Sequence, residues 1–501
     1  MLKNKIMRNI AVAALLTVLA VGTPSCKKML DVTSHRAVTE ENMWQNKNDA
    51  RAGLSACYGL MRAALANENA HWVYGELRGG DFAVTRREDL RAVSESNLNA
   101  SFTTMDEWRD WRRFYAAIAQ CNLAIEKLPL VPGRDYRYSQ VEMNCDRSQA
   151  IFIRAFLYYY MVRIWGDVPL VIKPADGVAK AIPREDWKKV LDFAAEQALL
   201  AVDGLPFRYD GNSPEAPGQY RGQGEDHHRS IAITKGMCYT LLAHIYAWKE
   251  DYPNALLYAD RVVNIASQSN YKFETAQYIA QLDGTFRGRN SGNIFQVDMN
   301  FDHAEISTTG QLEDWTLREP YIQKRESEIY VSKDTILKIY NEIHEQRPDY
   351  WFTKMDDVYP MFYKVKQLNS AVATNPLSLY ASAIVIFRYE ELFLLRAEAK
   401  ARLNMTSEAQ NDLNAVRNAR SLRNIKTDTQ GQDLLDAIFL ERRRELIGEG
   451  WYWYDLVHFK KIPQQTRLTQ EDVNKGAALW PISQNALNNN KALVQNSFWK
   501  N

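Results

Sequence analysis

The 501-residue sequence predicts an all-α dominated protein, in which about four helix pairs form a scaffold and long irregular insertions carry a few short strands. Three observations predict it. Alanines and aromatics recur at helical spacing in paired segments, and a twelve-residue offset between alanines appears in two pairs far apart in the chain. Strand-like runs occur only between the pairs.

The chain begins with Lys3, Lys5 and Arg8, then an apolar run from Ile10 to Val21, then Thr23, Pro24, Ser25 and Cys26. This order predicts a signal peptide over 1–25, because the apolar run is too short to span a bilayer and small residues lead to a cysteine. Cys26 is the expected lipidation site, its thiol carrying palmitate-type acylation, since stable anchoring takes more than one acyl chain. Lys27 and Lys28 follow in place of an acidic run. Residues 26–501 are expected to form a single domain, with scaffold segments at 40–66, 105–165, 186–202, 230–267 and 388–459.

Within that scaffold, Tyr239, Leu242, Ala243 and Tyr246 share one helical face, and Tyr252, Ala255, Ala259 and Val262 share the next. Small residues where helices cross, flanked by aromatics, make a tetratricopeptide-like pair that buries its face against its neighbour. Ala397 and Ala409 repeat the offset of Ala243 and Ala255 in a second pair. Ala155 to Tyr158 begins a third, with Asp186 to Ala201 as its partner, and Asp49 to Ala66 with Met105 to Leu128 makes a fourth. Insertions at 67–104 and 270–385 interrupt the scaffold, and a stretch rich in Pro, Gly, Asp and His runs over 205–230. Asn293 to Asp298 and Ala383 to Tyr389 have strand character, while Phe301, Trp315, Tyr321, Trp351 and Phe352 are expected to be exposed.

Sixty-two basic and 61 acidic residues leave a net charge of +1, which argues against a broad nucleic-acid-binding face. No membrane-spanning stretch is expected after the leader. Cys57, Cys121, Cys145 and Cys238 are widely spaced and make no disulfide framework, and Cys57 and Cys121 fall on apolar helical positions. The chain carries no nucleophile elbow, no zinc-protease motif, no phosphate-binding loop and no dinucleotide glycine pattern. Neither a cofactor nor a metal is expected. Asp226, His227 and His228 are read as a solvated polar loop in preference to a metal site, and a pair of carboxylates converging for glycoside hydrolysis stays open.

Two segments carry a specific resemblance. Residues 441–459 read ERRRELIGEGWYWYDLVHF, a charged helix expected to pair along its own face, two glycines that end it, and an aromatic strip before Asp455 and Leu456. Residues 154–171 read RAFLYYYMVRIWGDVPLV, a helix ending in Gly-Asp-Val-Pro-Leu. In order and content both resemble signatures of the SusD/RagB family. That resemblance implies a non-enzymatic, surface-exposed outer-membrane lipoprotein that captures oligosaccharide and delivers it to a SusC-like TonB-dependent transporter. It also implies a ligand site on the insertions. A sugar site needs flat rings over C–H faces and planar polar groups for hydroxyls. The first insertion offers Trp72, Tyr74, Arg78, Asp81 and Asn97; the second offers Arg287, Phe301, Trp315 and Tyr321. For each ring the competing role is packing of its insertion onto the scaffold. Arg78 and Asp81 equally suit a local ion pair around Gly79 and Gly80. Peptide capture of the RagB type, a surface glycoside hydrolase and a structural tetratricopeptide adaptor are the alternative functions.

Overall fold

The computed structural model describes residues 43–174, 181–299, 311–368 and 380–500. The predicted leader, Cys26 and Phe301 lie outside the described residues. All four predicted helix pairs form. Helix α1 (Lys47–Ala66) packs on α2 (Arg112–Lys127), and α3 (Gln140–Trp165) on α4 (Trp187–Val202). Helix α5 (Lys235–Trp248) packs on α6 (Tyr252–Asn264), and α7 (Tyr389–Arg402) on α8 (Thr406–Ala419). Two further helices follow, α9 (Gly431–Leu446) and the short α10 (Tyr452–His458).

Local chemistry sets the helix starts. Asn46 accepts from the amides of Asn48 and Asp49 while Asp49 accepts from the Asn46 amide, a reciprocal cap on α1. Ser139, Asp186, Thr234 and Asp251 cap α3, α4, α5 and α6 with side-chain oxygens that accept first-turn amides, and Pro253 fits the first turn of α6, where no amide partner is needed. Helix α3 is buried on every face from Ser148 to Trp165, so it is the spine of the scaffold. The alanines that predicted the pairs, Ala155, Ala243, Ala255, Ala397 and Ala409, are all fully buried where neighbouring helices approach. Cys57, Cys121, Cys145 and Cys238 are free thiols in this core. Among the described residues no helix is long and apolar enough to cross a membrane.

Strands occur in three two-stranded antiparallel ladders among the described residues. Strand β1 (Ala83–Val84) pairs with β3 (Ile329–Tyr330), β2 (Asn293–Val297) with β6 (Ile384–Arg388), and β4 (Phe352–Thr353) with β5 (Met361–Phe362). The β2–β6 ladder lies against the spine, the Phe295 ring meeting those of Phe152 and Phe156 edge-on at 5.6 and 5.3 Å. The β1–β3 ladder joins the two insertions to each other.

The charged helix departs from expectation. Its charges were expected to pair along one face, yet most reach across the fold. Glu445 accepts from Arg347, Arg388 and Arg420, each side chain fully buried. Arg442 bridges Glu391 and Asp455, Arg443 grips Asp81, and Arg444 meets Glu342. Within the helix one i,i+3 contact, Arg444 to Glu441 at 3.6 Å, remains. Burial opposes ionisation of Glu445, but Arg420, Arg388 and Arg347 hold its carboxyl well below the ordinary range.

This network also fixes the first insertion. Glu76 accepts the amides of Gly448, Gly450 and Trp451 at 2.8, 3.0 and 3.2 Å. Gly448 and Gly450 have φ of +77° and +78°, so both supply a left-handed bend that a side chain would strain. The approach leaves no space for a Cβ on Gly75, which would sit 1.8 Å from the Gly450 carbonyl oxygen.

Candidate functional site

Of the residues nominated for ligand contact, five lie inside the protein. Trp72 and Trp315 are 4% and 1% exposed and meet edge-to-face at 5.9 Å, so the rings nominated from separate insertions pack against each other. Phe82 extends this contact to Trp72 on one side and Phe362 on the other. Tyr74 donates to the Trp108 carbonyl and packs against Trp165 and Trp480. Arg78 lies 3.9 Å over the Trp453 ring and donates to the carbonyls of Ala477 and Ala478. Asp81 pairs with Arg443 and not with Arg78, so the suggested local ion pair does not form. The rings of Trp351 and Phe352, expected at the surface, are also buried, and Trp351 donates its indole N–H to the Ala276 carbonyl.

Asn97, Arg287 and Tyr321 are exposed, Tyr321 at 37%. Tyr321 belongs to a group that sequence reasoning found only in part. Its ring is 4.6 Å from that of Tyr363, and the Lys366 ammonium sits 3.3 Å from the Tyr363 centroid. Burial pushes the Lys366 amine down to about 8. A second pair, Tyr330 and Tyr359, lies at 4.7 Å, both rings half-buried. Burial raises the phenols of Tyr330 and Tyr363 above the ordinary value, so these two hydroxyls are neutral donors at pH 7.

The rings rest on a firm base. Leu317, Ile322, Met361 and Tyr380 form a buried apolar cluster, with Tyr363 packed against it. Arg318 ties the two loops together, binding Asp357 at 2.6 Å and the Tyr359 carbonyl at 3.1 Å. Ion pairs fix the segment between Tyr321 and Tyr330: Lys324 bridges Asp314 and Glu328, and Arg87 bridges Asp89 and Glu328. Tyr380 donates to Asp314. Rings held half-open beside fixed donors and acceptors can cover the C–H face of a sugar and bond its hydroxyls.

Tyr330, Tyr359, Tyr363 and Lys366 had one legible signal. Ile329 points inward and Tyr330 outward, the alternation of a half-buried strand. Two residues are too few for that period to register.

Among the described residues, no group of three or more His, Cys, Asp or Glu is placed to hold a metal ion. His228 is buried and its Nε2 meets the Tyr220 carbonyl oxygen at 2.9 Å.

With this geometry the chain can be set beside known proteins. Residues 350–499 match the model of the SusD family, and residues 29–214 match a model described as starch-binding associating with outer membrane. A SusD superfamily protein from Bacteroides thetaiotaomicron, known as a crystal structure, is 35% identical and aligns over 91% of this chain and 100% of its own, with a TM-score of 0.83. SusD-like protein P38 of Formosa agariphila is 26% identical over 98% of this chain and 99% of its own. A laminarin-binding SusD-like protein shares the fold at 20% identity, with a TM-score of 0.69 over 90% of this chain and 99% of its own.

Proposed function

We propose that this chain, which belongs to the SusD family, is a non-enzymatic lipoprotein of the outer membrane that captures oligosaccharide at the tyrosine surface of its second insertion. It is anchored through acylated Cys26, faces outward, and passes its ligand to a SusC-like TonB-dependent transporter. The observation that carries the reading is the two tilted, half-open tyrosine contacts, Tyr321 with Tyr363 and Tyr330 with Tyr359, held on a buried base where the two insertions join. The match to a starch-binding family model and the fold shared with a laminarin-binding protein support it. Asn97, Arg287 and Phe301 are the further contacts from the nominated set. Trp72, Tyr74, Arg78, Asp81 and Trp315 act from within, fixing where the insertions stand.

A shallow, wet surface of this kind binds at about micromolar to millimolar strength. Isothermal titration against a panel of neutral glucans and a peptide library tests the reading, with the Tyr321→Ala, Tyr363→Ala double variant as control. Glycan heat that disappears in the variant supports it. Peptide heat without glycan heat assigns the protein to peptide capture of the RagB type. Release of reducing ends from a bound glycan assigns a glycoside hydrolase. Transporter binding with no ligand of its own assigns an adaptor.

A further inference from the structure

Two lysines that stand two residues apart use their charge differently. Lys364 is buried over the Trp351 ring at 4.0 Å and spends its ammonium completely, donating to Glu449 at 2.6 Å and to the carbonyls of Glu445 and Ile447 at 2.8 and 3.1 Å. Lys366 also lies over a ring, 3.3 Å from the Tyr363 centroid. Its ammonium makes no hydrogen bond and no ion pair with any described residue.

This is an exception in the protein. Among the described residues every other lysine that is buried or half-buried meets a carboxylate. Around the tyrosine surface Asp314 and Glu328 are engaged by Lys324, and Asp357 is engaged by Arg318. Lys366 is not shut away either. The residue is half-buried, and its Nζ keeps surface that solvent can reach. Burial brings the amine down to about 8, so it is still protonated at pH 7.

A partly desolvated cation without a counter-ion costs the fold, and the attraction of the Tyr363 ring offsets only part of that cost. The ring covers one side of the ammonium and leaves N–H donors for oxygen on the other. The same ring meets Tyr321 at 4.6 Å, so the ammonium belongs to the tyrosine surface. A sugar lying with its C–H face on these rings would bring a substituent beside Lys366, and a negatively charged substituent supplies the missing partner.

From this geometry we infer that the tyrosine surface selects glycans carrying negative charge, that Lys366 is the residue determining this specificity, and that its partner is a sugar residue bearing a carboxylate or a sulfate ester. The inference rests on the reading of the tyrosine surface as the ligand site.

The test is titration calorimetry of the full chain with neutral glucans, with the same glucans oxidised at C6 to carboxylates, and with their 6-O-sulfated forms. The parent protein is compared with Lys366→Gln, Lys366→Arg and the Tyr321→Ala, Tyr363→Ala double variant, and circular dichroism establishes that each is folded. At least one charged form is expected to bind about tenfold more tightly than its neutral parent, and this advantage shrinks as salt is raised. Lys366→Gln brings the ratio of charged to neutral affinity close to one, and Lys366→Arg keeps most of it. The ratio reports charge at the site, whereas a structural fault lowers both affinities together. A preference for the carboxylate form identifies uronic residues as the partner, and a preference for the sulfated form identifies sulfate esters. Equal affinity for charged and neutral forms overturns the inference and leaves oligosaccharide capture standing. A charge preference that persists in folded Lys366→Gln, or in the double tyrosine variant, overturns it as well. Failure of every glucan to bind, with or without binding of acidic peptides, overturns the reading of the surface as a glycan site and the inference with it.

Discussion

Two arginine-rich regions of this protein treat charge in opposite ways. At the C-terminal signature Arg347, Arg388, Arg420, Arg442, Arg443 and Arg444 each meet at least one carboxylate, and Glu445 alone accepts from three of them. In the cleft between the second half of α1, residues 220–232 and the end of β2, Arg221 and Arg289 each have a single carboxylate partner, Asp146 at 3.9 Å and Asp298 at 2.8 Å. The signature removes its ions from water only after satisfying them, which is the condition for burying charge without loss of stability. Charge shared among several buried partners locks the fold, whereas a single pair at the rim of a cleft contributes little.

The strongest test of the locked region is Glu445→Gln, which replaces the one carboxylate shared by three buried guanidiniums with a neutral amide. Denaturant unfolding should show a loss of about 3–5 kcal/mol, and a loss below about 1 kcal/mol would mean that the network is incidental. Gly448→Ala comes next. Its φ is +77° and an added Cβ would lie 2.3 Å from the Phe362 ring, so a cost of about 1–3 kcal/mol is expected in the same assay.

A pH experiment asks whether the two regions differ in charge alone. His71, beside the signature, and His228, at the cleft, are both pushed down to about 4 by burial. The unfolded chain takes up a proton on each below about 6.5, and the folded chain only near 4. Each histidine therefore withdraws its stabilising contribution as pH falls from about 6.5 to about 4. Melting curves across that window should show the stability gap between the parent and His71→Gln narrowing toward acid, and His228→Gln should behave alike. A gap that widens toward acid contradicts the burial assignment.

Smaller effects belong to the open regions. Arg221→Gln should cost about 1–2 kcal/mol, because the side chain makes one hydrogen bond to Ser55 and its ion pair with buried Asp146 spans 3.9 Å. Tyr321→Ala should shift stability by less than about 1 kcal/mol, since the residue is 37% exposed and its ring contact is with the partly buried Tyr363. A Tyr321→Ala variant that unfolds would move this ring from the ligand surface to the core.

Much of the scaffold was legible because helix periodicity is local. Ala243 with Ala255 and Ala397 with Ala409 mark helix crossings without any knowledge of what lies elsewhere in the chain. The two main strands were legible for a similar reason, as short apolar runs at 293–298 and 383–389. Burial within the insertions was not. Trp72 and Trp315 look alike in sequence whether they meet a sugar or each other, and their contact spans more than two hundred residues. The ion pairs of α9 were misjudged on the same ground: the helix offers partners at i+3 and i+4, but Arg388, Arg420 and Asp81 compete from distant segments in a drier environment. Tyr363 and Lys366 needed the loops at 318 and 357 to be fastened together before their surface existed.

The fastening of Glu76 and Asp81 to residues 443–451 sets a timetable for biogenesis. The first insertion leaves the ribosome more than three hundred and fifty residues ahead of the groups that hold it. Until α9 and the two glycines after it have been made, Glu76 and Asp81 lack the groups that hold them, and contacts of such long range close slowly. The chain is therefore suited to complete its tertiary structure only after nearly all of it has been synthesised.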